Sequence, residues 1–154
     1  MKETKKMLKK NNQHIADNVA INHFKHKNHE MEVESFGLIR QNEISKQLKL
    51  LIREKRIYLN PNLTLNSLSK MLGTNCTYVS RIINRHYHCN FRTFLKRYRI
   101  KYSKELMKEE YCPIETVAKQ CGFLSRSSFY AAFQEMVHMP PAEYRDLYRM
   151  GKLT

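Results

Sequence analysis

Tryptophan is absent, and glycine, proline and cysteine number only four each in 154 residues. So few turn-formers argue against a many-turned β fold and for helices. No apolar run approaches the roughly 20 residues that a membrane helix needs. After the basic start Met1-Lys2-Glu3-Thr4-Lys5-Lys6, Asn11-Asn12-Gln13 stands where an export signal carries its apolar stretch, so export is not expected. Cys76, Cys89, Cys112 and Cys121 include no C-x-x-C pair and read as reduced thiols of a cytoplasmic protein. Enzyme motifs are missing as well. There is no glycine-rich phosphate loop, no G-x-S-x-G and no H-E-x-x-H, so no catalytic site is expected. His23, His26 and His29 recur every third residue, and His86, His88 and Cys89 lie close together. Neither group has the paired cysteines of a structural zinc site, so neither a metal nor a cofactor is expected.

Acidic residues are also short: Asp plus Glu is 14 against 28 for Lys plus Arg, a formal charge of +14. The excess is local. Arg81, Arg85, Arg92, Lys96, Arg97, Arg99, Lys101, Lys104 and Lys108 face a single acid in that stretch, Glu105. A merely solvated helix face usually alternates in sign, and this one does not. The imbalance therefore implies a polyanionic partner, double-stranded DNA above all.

Residues 1–40 form a polar extension in which Leu8, Ile15 and Val19 trace a weak helical stripe, a helix or a linker. From Asn42 the pattern tightens, with Ile44, Leu48, Leu51 and Ile52 at helical spacing. Thr64 then offers an N-cap to a short apolar face of Leu65, Leu68 and Leu72 that ends at Gly73. Thr74 or Asn75 caps a second short helix with Val79, Ile82 and Ile83 inward. Two short helices about a glycine turn make a helix-turn-helix over about 64–84. Asn90 caps a longer helix to about 108, whose stripe runs through Phe91, Phe94, Leu95, Tyr98, Tyr102 and Leu106. A second helix-turn-helix follows over about 113–135, with Pro113 at a first helical position. Its inward residues are Ile114, Val117, Ala118 and Cys121, then, beyond Gly122-Phe123, Phe129, Ala132, Phe133 and Met136. Pro140-Pro141 ends that element, and Ala142 to Tyr148 forms a short last helix.

The second unit repeats the first. Leu68-Ser69 and Val117-Ala118 are 49 residues apart, as are Gly73 and Gly122; Val79 and Phe129 are 50 apart, as are Ile83 and Phe133, Phe91 and Pro141, and Phe94 and Tyr144. One extra residue in the turn accounts for the change in offset. A joining helix from about 90 to 108 is roughly 27 Å long at about 1.5 Å per residue, and successive major grooves on one face of B-DNA lie about 34 Å apart. One chain is thus expected to place two recognition helices in successive grooves without dimerising.

This ordered set of residues resembles the DNA-binding domain of AraC/XylS-type transcriptional regulators. The resemblance covers 41–150 and runs through Tyr58-Leu59-Asn60-Pro61, Leu68 to Gly73, Tyr78 to Asn84, Asn90-Phe91, Tyr98-Arg99-Ile100, Ile114 to Ala118, Gly122-Phe123, Ser128-Phe129, Phe133 and Pro141 to Arg145. It implies an all-α fold of seven helices in two helix-turn-helix subdomains joined by a long linker helix. It implies a transcriptional regulator, most often an activator, with RNA polymerase as a further partner. The family's base-contacting positions fall on Thr77, Ser80 and Arg81, and in the second unit on Arg126, Ser127 and Ala131, with Tyr130 nearby. Arg81 is suited to pair with guanine O6 and N7. Asn75 and Ser125 are helix caps whose N-termini approach phosphate, and Asn84, Arg85, Arg92 and Lys96 are candidate phosphate contacts. Arg99 and Arg145 are assigned to holding the subdomains together. The sequence departs from the family at His88 and His138, where glycine is usual, and at Ala131 and Gln134, where the second recognition helix usually carries a basic pair. Two other readings compete: a non-specific or architectural nucleic-acid binder, and a protein-interaction module that no longer reads DNA. The chain is expected to be a monomer, or a weak homodimer through residues 1–40.

Overall fold

The computed structural model describes residues 37–109 and 112–153. By backbone contacts the chain divides into Met1–Ile44 and Ser45–Thr154. Of Met1–Ile44, residues 37–44 are described and are helical; the helical backbone, α1, spans residues 37–53. The apolar stripe read at Leu8, Ile15 and Val19 and the histidines at 23, 26 and 29 lie outside the described residues.

Within Ser45–Thr154 a single 3-10 turn, Ile57–Leu59, follows α1. Then come α2 (Leu65–Met71), α3 (Cys76–Tyr87), α4 (Phe91–Glu109), α5 (Ile114–Gln120), α6 (Arg126–Val137) and α7 (Pro141–Arg149). The described residues hold seven α-helices and no strand, an all-α fold. No helix among them is long and apolar enough to cross a membrane.

Local chemistry explains the boundaries. Thr64 and Ser67 form a reciprocal capping box at the start of α2. Asn75 and Ser125, 50 residues apart, each take a backbone N–H at the start of α3 and α6, at 2.8 and 3.1 Å. Gly73 and Gly122 both adopt left-handed backbone, φ 62° and 78°. His88 and His138 do the same at the ends of α3 and α6, φ 52° and 62°, so histidine fills the conformation for which glycine is the usual residue. Two boundaries differ from the sequence reading. Pro113 caps α5 from outside rather than opening it. Pro141 opens α7, where the Pro-Pro pair reads as an end; α6 has already stopped at Val137. Proline suits a first helical turn because its missing N–H is unpaired there anyway.

α4 is the shared wall. It packs against α3 and the 3-10 turn on one side and against α5, α6 and α7 on the other. Phe94 and Leu95 are buried with the first unit's Leu68, Val79, Ile82 and Ile83. Further along, Ile100 and Met107 belong to a second core with Val117, Phe129, Phe133 and Tyr144. The sequence stripe through Tyr98, Tyr102 and Leu106 therefore captures half of the helix: those three side chains are only part-buried, and α4 turns a different face inward for each core. Ser103 is completely buried between, its hydroxyl donating to Ile100 O at 2.7 Å. Cys121 is fully buried, and burial pushes its thiol up to about 12, so it packs as a small apolar group.

Candidate nucleic-acid interface

In the first unit, burial of Val79, Ile82 and Ile83 fixes which face of α3 points outward. Thr77, Arg81 and Asn84 are exposed and Ser80 is half-buried. Together with Leu65 and Cys76 they line one shallow depression of about 360 Å³. Arg81 forms no ion pair among the described residues, so its guanidinium keeps all its donors for an external acceptor. Asn75 and Arg85 are exposed as well. A neighbouring groove of about 340 Å³ runs between α2 and α4, lined by Arg92, Lys96 and Arg99 together with Leu65. Leu65 belongs to both surfaces, so the polar face of α3 and the start of α4 adjoin.

The second unit repeats the backbone with different side-chain chemistry. Phe129, Ala132 and Phe133 are buried, Ser125, Ser127 and Ala131 exposed, and Tyr130 part-buried. Arg126 is not open-handed like Arg81. Its guanidinium pairs with Glu115 at 2.6 Å, donates to the Tyr130 hydroxyl at 3.3 Å and lies 5.0 Å from that ring's centroid. The Tyr130 bond and the Glu115 carboxylate hold its pKa above the ordinary guanidinium value. A base contact by Arg126 competes with Glu115 for its guanidinium.

The cationic run on α4 serves the protein's own structure more than sequence alone suggests. Lys96, a candidate phosphate contact in the sequence, pairs with Glu135 of α6 at 2.6 Å, a tie between helices. Arg97 donates to Tyr87 O at 3.0 Å. Lys104 and Lys108 lie 5.0 and 4.7 Å over the rings of Tyr144 and Tyr148 in α7. Arg99 donates to Tyr58 O at 2.7 Å and to Asn60 O at 2.9 Å while its guanidinium lies 5.6 Å from the Phe123 centroid. Burial lowers the pKa of Arg99, and the two carbonyls take up the donors that water would otherwise satisfy. Arg145, paired with Arg99 in the sequence reading, reaches Cys112 O at 3.4 Å.

Arg99 marks the seam between the units, and Gly122 closes it. A Cβ at Gly122 would stand 2.6 Å from Leu59 O and 3.0 Å from Tyr58 O. The turn of the second helix-turn-helix therefore rests on the backbone of the first unit's 3-10 turn. Clamped between Arg99 and Gly122, that turn fixes how the units sit on each other. A Cβ at Gly73, the equivalent glycine, would meet nothing within 4 Å.

This duplicated helix-turn-helix on a shared helix is matched by known proteins. The helix-turn-helix domain family matches residues 68–147, just over half of the chain. The chain belongs to the AraC-type helix-turn-helix family. Among relatives of this AraC-type domain is the probable transcriptional regulator LumQ of Photobacterium leiognathi, 38% identical over 52 residues. That match covers 34% of this chain and 21% of LumQ, so the chain spans about a fifth of that relative's length. The C-terminal domain of AraT, a response regulator from Geobacillus stearothermophilus, superposes with a TM-score of 0.62 at 25% identity, covering 67% of this chain and 84% of that one. The DNA-binding domain of AdpA, solved in complex with a target DNA, shares the fold, with a TM-score of 0.63 at 16% identity over 71% of this chain and 95% of that one. The family is one of DNA-binding transcriptional regulators, not enzymes; LumQ is described as a probable transcriptional regulator, AraT as a response regulator and AdpA as a global transcriptional factor. Among the described residues no three His, Cys, Asp or Glu side chains gather to hold a metal, those around His86, His88 and Cys89 included.

Proposed function

We propose that this AraC-type domain, over residues 41–150, binds double-stranded DNA in the cytoplasm as a sequence-specific transcriptional regulator, most often an activator that engages RNA polymerase. It inserts α3 and α6 into successive major grooves. Thr77, Ser80 and Arg81 read bases in the first groove. Arg126, Ser127, Tyr130 and Ala131 face the second. Asn75, Asn84, Arg85, Arg92 and Ser125 contact phosphates, and Lys96 does so only when released from Glu135. The chain works without a cofactor, as a monomer or a weak homodimer through residues 1–40. LumQ is described as a probable regulator, and the AdpA domain was solved on its DNA.

The observation that carries this reading is the exposed polar face of α3, with Arg81 free of ion pairs among the described residues and its helix capped by Asn75. Arg126, tied to Glu115, and Ala131, with no polar group, favour unequal readers: the second unit anchors more than it reads. Selection of bound duplexes from a random pool supplies the operator. Affinity on that operator is then expected to exceed affinity on scrambled duplexes by about a thousandfold or more. Equal affinities assign the chain instead to architectural binding. No duplex binding at low salt assigns it to protein interaction.

A further inference from the structure

About a third of a turn round α4 from the Arg92 groove, the domain builds a second cationic surface that DNA reading leaves unused. Two depressions of about 280 and 160 Å³ adjoin there and share Arg53 and Tyr98. Arg56, Lys101 and Tyr102 line the larger, and Lys49, His86 and Tyr87 the smaller. Glu105 is the one carboxylate among the lining residues. Arg56 holds left-handed backbone, φ 46°, with its guanidinium 5.3 Å from the centroid of the Tyr102 ring. Lys49, Arg53, Arg56 and Lys101 are all exposed. Four cations gathered around one carboxylate repel each other, and a bound polyanion relieves that repulsion. Burial pushes the Tyr87 hydroxyl up to about 12, so it stays a neutral O–H.

The chemistry selects among anions. A duplex lying on α3 is on the wrong side: His86 is nine residues from Thr77, about 180° round the helix, and no residue lines both this cleft and the reading depression. Small-molecule pockets are mostly apolar and bury most of their ligand, whereas the larger depression is polar and both stand open to solvent. A cation over the Tyr102 ring, with further cations and tyrosines lining the same open trough, suits an extended acidic polypeptide. Its carboxylates meet the guanidinium and ammonium groups, and its apolar side chains lie on the rings. We propose that this tyrosine-floored cationic cleft docks an acidic segment of a partner protein while α3 faces DNA.

The test uses the full chain and a fluorescein-labelled 12-residue peptide of Asp and Glu interspersed with Leu and Phe, read by anisotropy without DNA, so that its outcome is separate from that of DNA reading. R53Q/R56Q/K101Q is compared with the charge-matched K70Q/K119Q/K152Q on the outer surface, both checked for folding by circular dichroism. The cleft variant is expected to weaken peptide binding at least tenfold, the surface variant less than twofold, and added duplex to leave the peptide bound. Equal losses in both variants, displacement by duplex, equal binding of a peptide with Asn and Gln in place of the acids, or no peptide binding at all would each overturn the proposal.

Discussion

Gly73 and Gly122 occupy the same place in two copies of one motif, yet one faces open space and the other lies against backbone. Arg81 and Arg126 make a second such pair on the outer surface: the first has no ion pair among the described residues, the second is held by Glu115 and Tyr130. The cores differ too, with aliphatic Val79, Ile82 and Ile83 in α3 against aromatic Phe129 and Phe133 in α6. Backbone, caps and left-handed exits are thus retained in both units, while surface chemistry is divided between them. The first unit keeps a free reading face. The second is built into the joint.

The largest expected break in this comparison is at the glycines. Ala at Gly73 meets only the left-handed penalty, about 1–2 kcal/mol. Ala at Gly122 meets that penalty and a backbone contact of 2.6 Å that no rotamer relieves, so G122A is expected to lose about 3 kcal/mol. Denaturant midpoints of the two variants measure the difference; equal losses would mean that the second turn does not bear on the first unit.

Next come the arginines. Arg81→Ala is expected to lose about 1–3 kcal/mol of discrimination at one base pair. Arg126→Ala is expected to change affinity less than tenfold on any sequence. Glu115→Gln sharpens the point, because it releases Arg126. Binding should tighten several-fold and the log–log salt slope should steepen by about one phosphate contact. Titrations on the operator and on scrambled duplexes at several salt concentrations separate these outcomes. Weaker binding by E115Q would mean that the pair positions α6 rather than restraining its arginine.

The smallest effect is shared by the two units. His88→Gly and His138→Gly each remove a left-handed side chain, partly offset by glycine's greater freedom when unfolded, and each is expected to stabilise by about 0.5 kcal/mol. Thermal midpoints should rise alike in both variants.

The repeat itself was legible in the sequence because its signals are local. Capping oxygens, left-handed exits and the three-to-four-residue apolar period all act within a turn or two of chain, and Asn75, Ser125, Gly73 and Gly122 serve as read. The partners of long side chains were not legible. Lys96 meets Glu135, 39 residues away, and Arg99 meets Tyr58, 41 residues away. Local spacing cannot announce such pairs, so a run of cations that reads as one DNA-facing strut divides into struts, clamps and ring contacts. The second buried face of α4 was hidden for a related reason: a helix that serves two cores shows no single stripe, and Ile100, Ser103 and Met107 fall between the expected positions. Arg145 beside Asp146 shows the converse, a neighbour in sequence at 3.6 Å while the same guanidinium also reaches back to Cys112.

The account rests on one chain gripping two successive grooves unequally. Substituting every base pair of the selected operator in turn, and measuring the affinity of the chain for each at one protein per duplex, tests this most directly. The expected profile is a cluster of positions costing about 1–3 kcal/mol each, and a shallower cluster about one helical turn away. A two-fold symmetric profile bound by two chains, a single cluster, or two clusters of equal depth would contradict it.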